Sequence, residues 1–309
     1  MQRFVVLTLN GLTEGSIYAA MALALVMIWR ATQVVNFAQG AMAMFTTYLA
    51  LFALERGAPY WLAFIVALGC GFLIGAVVER VLVRPVENKP PLNVVILTLG
   101  VLLMLEALAP MLFGGQIRSF PAAFSIVGLR LGSMQVPFSR FDLFTLISVL
   151  VVMGLLLLLF QRTNLGLRMR AAAFNPEVSR LLGIRVGRML TLGWALASAV
   201  GALAGVLIAP SLLLYPTYMD QILVFGFTGA ILGGLDSPPG AVVGGLAMGF
   251  ALSYVGGYFG SDLETVGALV ILIAVLMVRP RGLLAWRAQR VVLRCRLPRP
   301  AGRRCSPPP

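Results

Sequence analysis

The chain has 309 residues, of which 60% are hydrophobic and only 11% charged, and its mean hydropathy is +0.94. A soluble globular domain carries about 25% charged residues, so that class is excluded and the sequence reads as a polytopic membrane protein. The net charge of +13 comes from arginines and the single Lys89 set against 11 acids. Because the arginines interrupt apolar runs, they act as topology determinants rather than as a nucleic-acid-binding face.

The N-terminus opens with a short basic start and an apolar run at about 5–29, too long for a signal-peptide core and without a small-residue cleavage site. It is therefore expected to be an uncleaved first membrane segment. Arg30 precedes a less uniform second segment, at about 34–54, which contains Asn36 and Gln39. Polar groups at that depth are costly unless partnered, or unless the segment is broken beside a cavity. The third segment, about 60–83, starts at an interfacial Pro59-Tyr60-Trp61 and ends at Arg80 and Arg84; the fourth, about 92–113, contains Glu106. The interval 114–137 is long and modestly polar, with an alternating stretch at Phe124 to Val127 that suggests a small external β-ribbon. A fifth segment at about 138–160 returns to the opposite side.

The polar interval 162–188 carries six arginines and one acid, Glu177, and the positive-inside bias places it in the cytoplasm. Within it, Asn175 is positioned to cap a short helix with Pro176 at its first position and Glu177 beside the partly positive N-terminus. Val178, Leu181 and Leu182 recur at helical spacing with Arg180 elsewhere around the axis, which makes a docking surface. A basic loop that only fixes topology needs the arginines but not the cap, and the residues alone leave the two readings level. Four more segments follow, at about 189–213, 218–235, 240–258 and 263–278, with a DSPPG turn at Asp236 to Gly240. No acid follows Glu264, while nine arginines do. The end of the chain, 281–309, thus reads as a basic, Pro-rich, disordered cytoplasmic tail near anionic lipid.

Fold class follows as all-α, a transmembrane helical bundle of about nine segments (eight to ten), with re-entrant or broken helices at 34–45 or 218–235 as the alternative. Placing both the arginine-rich interval and the tail inside requires an even number of crossings between them. That puts the DSPPG turn inside and the N-terminus outside. Small residues four apart, at Gly11/Gly15, Gly71/Gly75, Gly201/Gly205, Gly229/Gly233 and Gly245/Gly249, point to close helix packing.

The residue inventory excludes most chemistry. Lys89 is followed by Pro90, so no phosphate-binding loop of the GxxxxGK[ST] form exists. There is no histidine, and the cysteines at 70, 295 and 305 have no metal-ligand spacing. No cofactor, metal or enzymatic activity is expected. Intramembrane ionisable groups are then the candidates for function. Glu106 is the sharpest, with an interfacial, solvated carboxylate as the competing reading. Glu14 lies near the outer end of the first segment, and Asp142 and Asp220 sit near segment starts, where capping suffices to explain them. Asn10, Asn36 and Gln39 offer uncharged donors and acceptors to a solute or to neighbouring helices.

Three separated motifs resemble one family. Residues 10–44 are similar to the opening signature of the LIV-type branched-chain amino acid ABC transporter permeases, whose usual form is Gly-Ser-Ile-Tyr-Ala followed by an Ile-Asn-Phe-Ala-His-Gly box. RMRAAAFNPEVSRLLGI at 168–184 looks like that family's cytoplasmic coupling segment, and 229–249 resembles its Gly-Gly, Ser-x-Pro-Gly-Ala, Gly-Gly stretch. Gln39 stands where histidine is common, which removes titration from that position, and Asp236 and Pro238 replace a common Gly and Leu. The resemblance implies a permease domain at 1–280 and coupling residues Arg170, Asn175, Pro176, Glu177, Arg180, Leu181, Leu182 and Gly183. It also implies a solute path drawn from Asn10, Ser16, Tyr18, Asn36, Gln39 and Glu106. The implied protein is a multi-pass permease of a bacterial inner membrane that works by alternating access. Its implied partners are a homologous permease or a second copy, two cytoplasmic ATPase subunits, and an extracytoplasmic solute-binding protein. Branched-chain amino acids are the default solute, and related permeases carry urea, short amides and other amino acids. An ion-coupled carrier using Glu106 and a passive channel remain the alternatives, although neither uses the capped helix.

Overall fold

The computed structural model of the protein describes residues 2–86, 89–131, 134–279 and 282; apart from Gly282, the expected tail lies outside them. The described helices are α1 (Gln2–Thr32), α2 (Gln39–Glu55), α3 (Tyr60–Val77), α4 (Pro91–Phe113), α5 (Arg140–Arg162), α6 (Asn164–Phe174), α7 (Pro176–Leu181), α8 (Val186–Ile208), α9 (Tyr218–Gly233), α10 (Pro238–Phe259) and α11 (Glu264–Val278). Seven of the helical spans are long and apolar enough to cross a membrane. Of the remaining apolar helices, α2 has 17 residues and α9 has 16.

Every residue of α1 from Gly15 to Ile28 is buried. A helix that is apolar all round belongs at the centre of a bundle, and α1 packs against α5, α8, α9 and α10. The packing depends on missing side chains. A Cβ at Gly229 would lie 2.8 Å from Gly245 Cα, and one at Gly71 would lie 2.7 Å from Ala202 Cβ, so the small-residue pairs do bring backbones together. By contrast, α4, α5 and α11 carry rows of exposed Leu, Ile and Val, among them Leu103, Leu155 and Val270. Such faces are at home against lipid tails.

The two ends of the bundle are distinct. At one end, Trp29 Nε1 donates to Asp236 Oδ1 at 3.3 Å, joining the end of α1 to the DSPPG turn. Gly282, with φ +81°, packs on Gly234, and α6 and α7 lie at this end too. Here α3 runs on into a π-helix, Val78–Val83, and a 3₁₀ turn, Arg84–Val86. Glu79, 2% exposed, takes a salt bridge from Arg84 at 3.0 Å and a hydrogen bond from Thr191 at 2.6 Å, while Arg84 Nη2 also donates to Gly187 O at 2.7 Å. This clasp fixes α3 to the first turns of α8. At the other end, Arg3 donates to Gly257 O, and Arg118 pairs with Glu55 at 2.8 Å and bridges backbone to Leu214. The described ends of the chain, near Arg3 and Gly282, therefore lie at opposite ends of the bundle.

Two boundaries differ from the sequence expectation. The ribbon forms from β1 (Gly128–Leu131) and β2 (Met134–Ser139), antiparallel, and not from Phe124 to Val127. The Phe124 ring instead packs on Phe144 at 5.4 Å and Trp61 at 6.2 Å, which ties that stretch to α5 and α3. The second helix starts at Gln39 rather than near 34. Gln33 takes φ +56° and its N–H donates to Trp29 O at 2.7 Å, a left-handed stop to α1, after which the chain stays irregular through Phe37.

Candidate solute path and inner docking face

The arginine-rich face is built by two caps. Thr163 Oγ1 accepts from Gly166 N at 3.1 Å and starts α6; Asn175 Oδ1 accepts from Val178 N at 3.0 Å and starts α7, with Pro176 at its first position. Gly183, at φ +78°, ends the turn, a conformation that favours glycine. Of α7 only Ser179 is buried. Phe174, Leu181 and Leu182 are 93%, 88% and 74% exposed, so the apolar positions at helical spacing point away from the bundle, and Glu177 and Arg180 are exposed beside them. Arg170 is placed differently. It lines a cleft with Arg30, Met169, Met189 and Pro238, between α6 and the ends of α1, α8 and α10.

Asn36 and Gln39 are fully buried at the break between α1 and α2. Asn36 Nδ2 donates to Gln39 Oε1 at 3.1 Å, Asn36 Oδ1 accepts from Ala38 N at 3.1 Å, and Gln39 Nε2 donates to Ala197 O, midway along α8, at 3.1 Å. Irregular backbone at membrane depth is tolerated where protein groups satisfy it; Asn36 does so for Ala38 N, and Gln39 ties the break to α8. A glutamine offers donor and acceptor together, whatever the pH, so its place in the box where histidine is common suits a structural clamp. Tyr218 at the head of α9 plays a similar part, its hydroxyl sharing its one proton between Thr47 Oγ1 at 2.9 Å and Gly205 O at 3.1 Å.

At the opposite end, near Arg3, lies a cavity of about 290 Å³ walled by α1, α5, α8, α9 and the start of α11. Asn10 and Tyr18 reach it, joined by Glu14, Asp142 and Glu264. Ser16 does not; its hydroxyl donates to Thr13 O at 2.6 Å, back into its own helix. Glu106 also lies elsewhere, its carboxyl group facing that of Asp220, with Oε1 buried and unpartnered. The six path candidates thus separate into the cavity (Asn10, Tyr18), the amide clamp (Asn36, Gln39), and two outliers. Thr145, Gln221 and Glu264 in the cavity wall escaped the sequence reading. The available signal was depth: with alternating crossings, the start of the last segment falls at the same level as Glu14.

The family model described as "Branched-chain amino acid transport system / permease component" matches residues 7–278. The chain belongs to this family. It is 28% identical over 291 residues to the high-affinity branched-chain amino acid transport system permease protein LivH of Escherichia coli K12, covering 89% of this chain and 93% of that protein. It is 30% identical to BraD, a permease protein of the same description from Pseudomonas aeruginosa, covering 89% and 94%. Among solved structures, PsaBC from Streptococcus pneumoniae, in complex with Fab, aligns at a TM-score of 0.51 and 14% identity, covering 88% of this chain and 91% of that one. That likeness speaks to the fold alone. The relatives are transport permeases, and this chain is a multi-pass membrane protein of the same kind.

Proposed function

We propose that the protein is one membrane-spanning subunit of an ABC importer that moves branched-chain amino acids, or a related small polar solute, by alternating access. ATP is hydrolysed by separate cytoplasmic subunits that dock on α7, the second permease position is filled by a homologue or another copy, and an extracytoplasmic binding protein delivers solute. The observation that carries this reading is the apolar ridge of Phe174, Leu181 and Leu182, exposed at the arginine-rich end of a chain that has no nucleotide site. An exposed apolar ridge rimmed by charge is a protein-docking feature, and membership of the family supplies the class of partner.

In this reading the chain crosses nine times. The irregular stretch 33–38 together with α2 makes the second crossing and α9 the seventh, which puts the arginine-rich end and Gly282 inside and Arg3 outside. Asn10 and Tyr18 face the solute from the outer side, Ser16 and the Asn36–Gln39 clamp hold the path walls together, and Glu106 lies off the path beside Asp220. Arg170, Asn175, Pro176, Glu177, Arg180, Leu181, Leu182 and Gly183 shape or contact the ATPase side.

The test is uptake in proteoliposomes. Uptake should require added ATPase subunits and ATP and should survive Glu106→Gln. Dependence on an ion gradient that vanishes with Glu106→Gln would establish a secondary carrier, and unassisted downhill flux a channel. Cysteines introduced as Phe124→Cys and Asn175→Cys report topology: an impermeant maleimide applied outside the cell should label the first alone.

A further inference from the structure

The outer cavity has a chemical character that the permease reading does not specify. Three carboxylates line it, Glu14, Asp142 and Glu264, and no lysine or arginine does. Asp142 is partly committed, since its Oδ2 accepts from Ser139 N and Ser139 Oγ, each at 2.7 Å, in a capping box at the head of α5. Glu14 and Glu264 have no such tie. The ion pairs among the described residues join Arg84 to Glu79 and Arg118 to Glu55, and neither involves a cavity carboxylate. Carboxylates lining a cavity that no protein cation enters favour a positively charged visitor.

A second observation points to a ligand with directional hydrogen bonds. Thr145 lines the same cavity, is 0% exposed, and its hydroxyl has no hydrogen-bond partner. A helical threonine ordinarily donates to the carbonyl one turn back, and an unmet buried hydroxyl costs about 1–3 kcal/mol. The rest of the wall mixes uncharged polar side chains, among them Asn10, Tyr18 and Gln221, with an apolar side formed by Ile17, Leu207, Ile222 and Phe225. An inorganic cation is a poor fit, because no group of three or more acidic, His or Cys side chains among the described residues is close enough to hold a metal ion.

We propose that this cavity is an organic-ammonium site: Glu14 and Glu264 hold the –NH₃⁺ of a small amine, Thr145 accepts or donates one further hydrogen bond, and the apolar side of the wall takes its hydrocarbon body. The site rests on the permease reading and adds to it that the solute is recognised here by its amine and not by its carboxylate. For a zwitterionic amino acid, the carboxylate end must then be met by other groups or by water. The volume of about 290 Å³ lies at the lower edge of small-molecule pockets, which run from about 300 Å³.

The experiment uses the full chain in lipid nanodiscs, with the cysteines at 70, 295 and 305 changed to serine and Ile222→Cys added as a reporter in the cavity wall. Maleimide labelling is timed with 3-methylbutylammonium, with 4-methylpentanoate, and with sodium chloride alone. The amine should slow labelling at least tenfold at saturation, and the carboxylate and the salt should not. Glu14→Gln and Glu264→Gln should each abolish the protection, and Glu14→Asp should keep it. Equal protection by amine and carboxylate, protection by sodium alone, no protection by any of them, or protection that persists in both Gln variants each overturns the inference. If the Gln variants fail to fold, the comparison of amine with carboxylate on the reporter chain decides by itself. No ATPase subunit takes part in this assay. A negative result therefore removes the amine site and leaves ATP-driven uptake intact, whereas uptake without ATP removes the underlying reading.

Discussion

The two ends of this bundle solve opposite problems. The arginine-rich end turns hydrophobic side chains outward: Phe174 and Leu181 are among the most exposed apolar residues in the described chain. The end near Arg3 turns Glu14, Asp142 and Glu264 into a cavity whose wall mixes apolar with uncharged polar side chains. The contrast teaches that exposure alone does not mark function in a membrane protein, because lipid-facing leucines are exposed as well. What marks it is a residue type placed against the habit of its surroundings, apolar at a basic face or acidic in a cavity that no protein cation enters.

The largest way to break the comparison is to charge the ridge. The double substitution Phe174→Asp and Leu181→Asp should bring ATP-driven uptake to background while membrane yield stays normal, since neither side chain packs on the bundle; full uptake would remove the docking role. Next in size is the packing beneath both ends. Gly75→Val forces a Cβ to within about 2.7 Å of Ser198 Cβ, and overpacking of this kind costs about 1–3 kcal/mol. The thermal midpoint in detergent should fall by several degrees, whereas Gly69→Val, with nothing within 4 Å, should leave it unchanged. Equal midpoints would mean that α3 and α8 are not held as described.

Smaller effects sharpen the picture. Asn175→Ala removes the cap of α7 at about 1 kcal/mol, or roughly fivefold in affinity for the ATPase partner, read by co-purification at graded concentrations. A loss as complete as that of the Asp pair would show that the asparagine contacts the partner directly. Smallest in its effect on uptake is Gln39→Leu. It forfeits both the bond to Ala197 O and the acceptor that Asn36 Nδ2 uses, about 0.6 kcal/mol each, and should lower the thermal midpoint modestly with no change in which solute is carried. An altered solute preference would move Gln39 from clamp to path.

How much of this was legible in the residues depends on whether the signal is local. The capped α7, the small-residue pairs and the span positions depend on near neighbours in sequence, and Asn175, Gly71 and the DSPPG turn behave accordingly. The start of α2 did not show, because Val34, Val35 and Phe37 keep hydropathy high through a stretch whose backbone is irregular; only the pair Asn36 and Gln39 hinted that polar groups were needed there. The outer cavity was legible one residue at a time. Glu14 was visible as an acid within a membrane segment, but Asp142 looked like the cap that it also is, and Glu264 showed only as the last acid of the chain. Their convergence depends on which face each helix turns inward, and that is settled by contacts between segments far apart in sequence, such as α1 with α5.

Helix α8 begins just after the turn at Gly183, is held to α3 in its first turns through Arg84 and Thr191, and ends with Leu207 and Ile208 in the cavity wall. Its 23 residues make a rod about 35 Å long with no proline to bend it. Under the proposed docking, a subunit that pulled on α7 would grip one end of a lever whose far tip is part of the chamber lining, with the Arg84 clasp as the fulcrum.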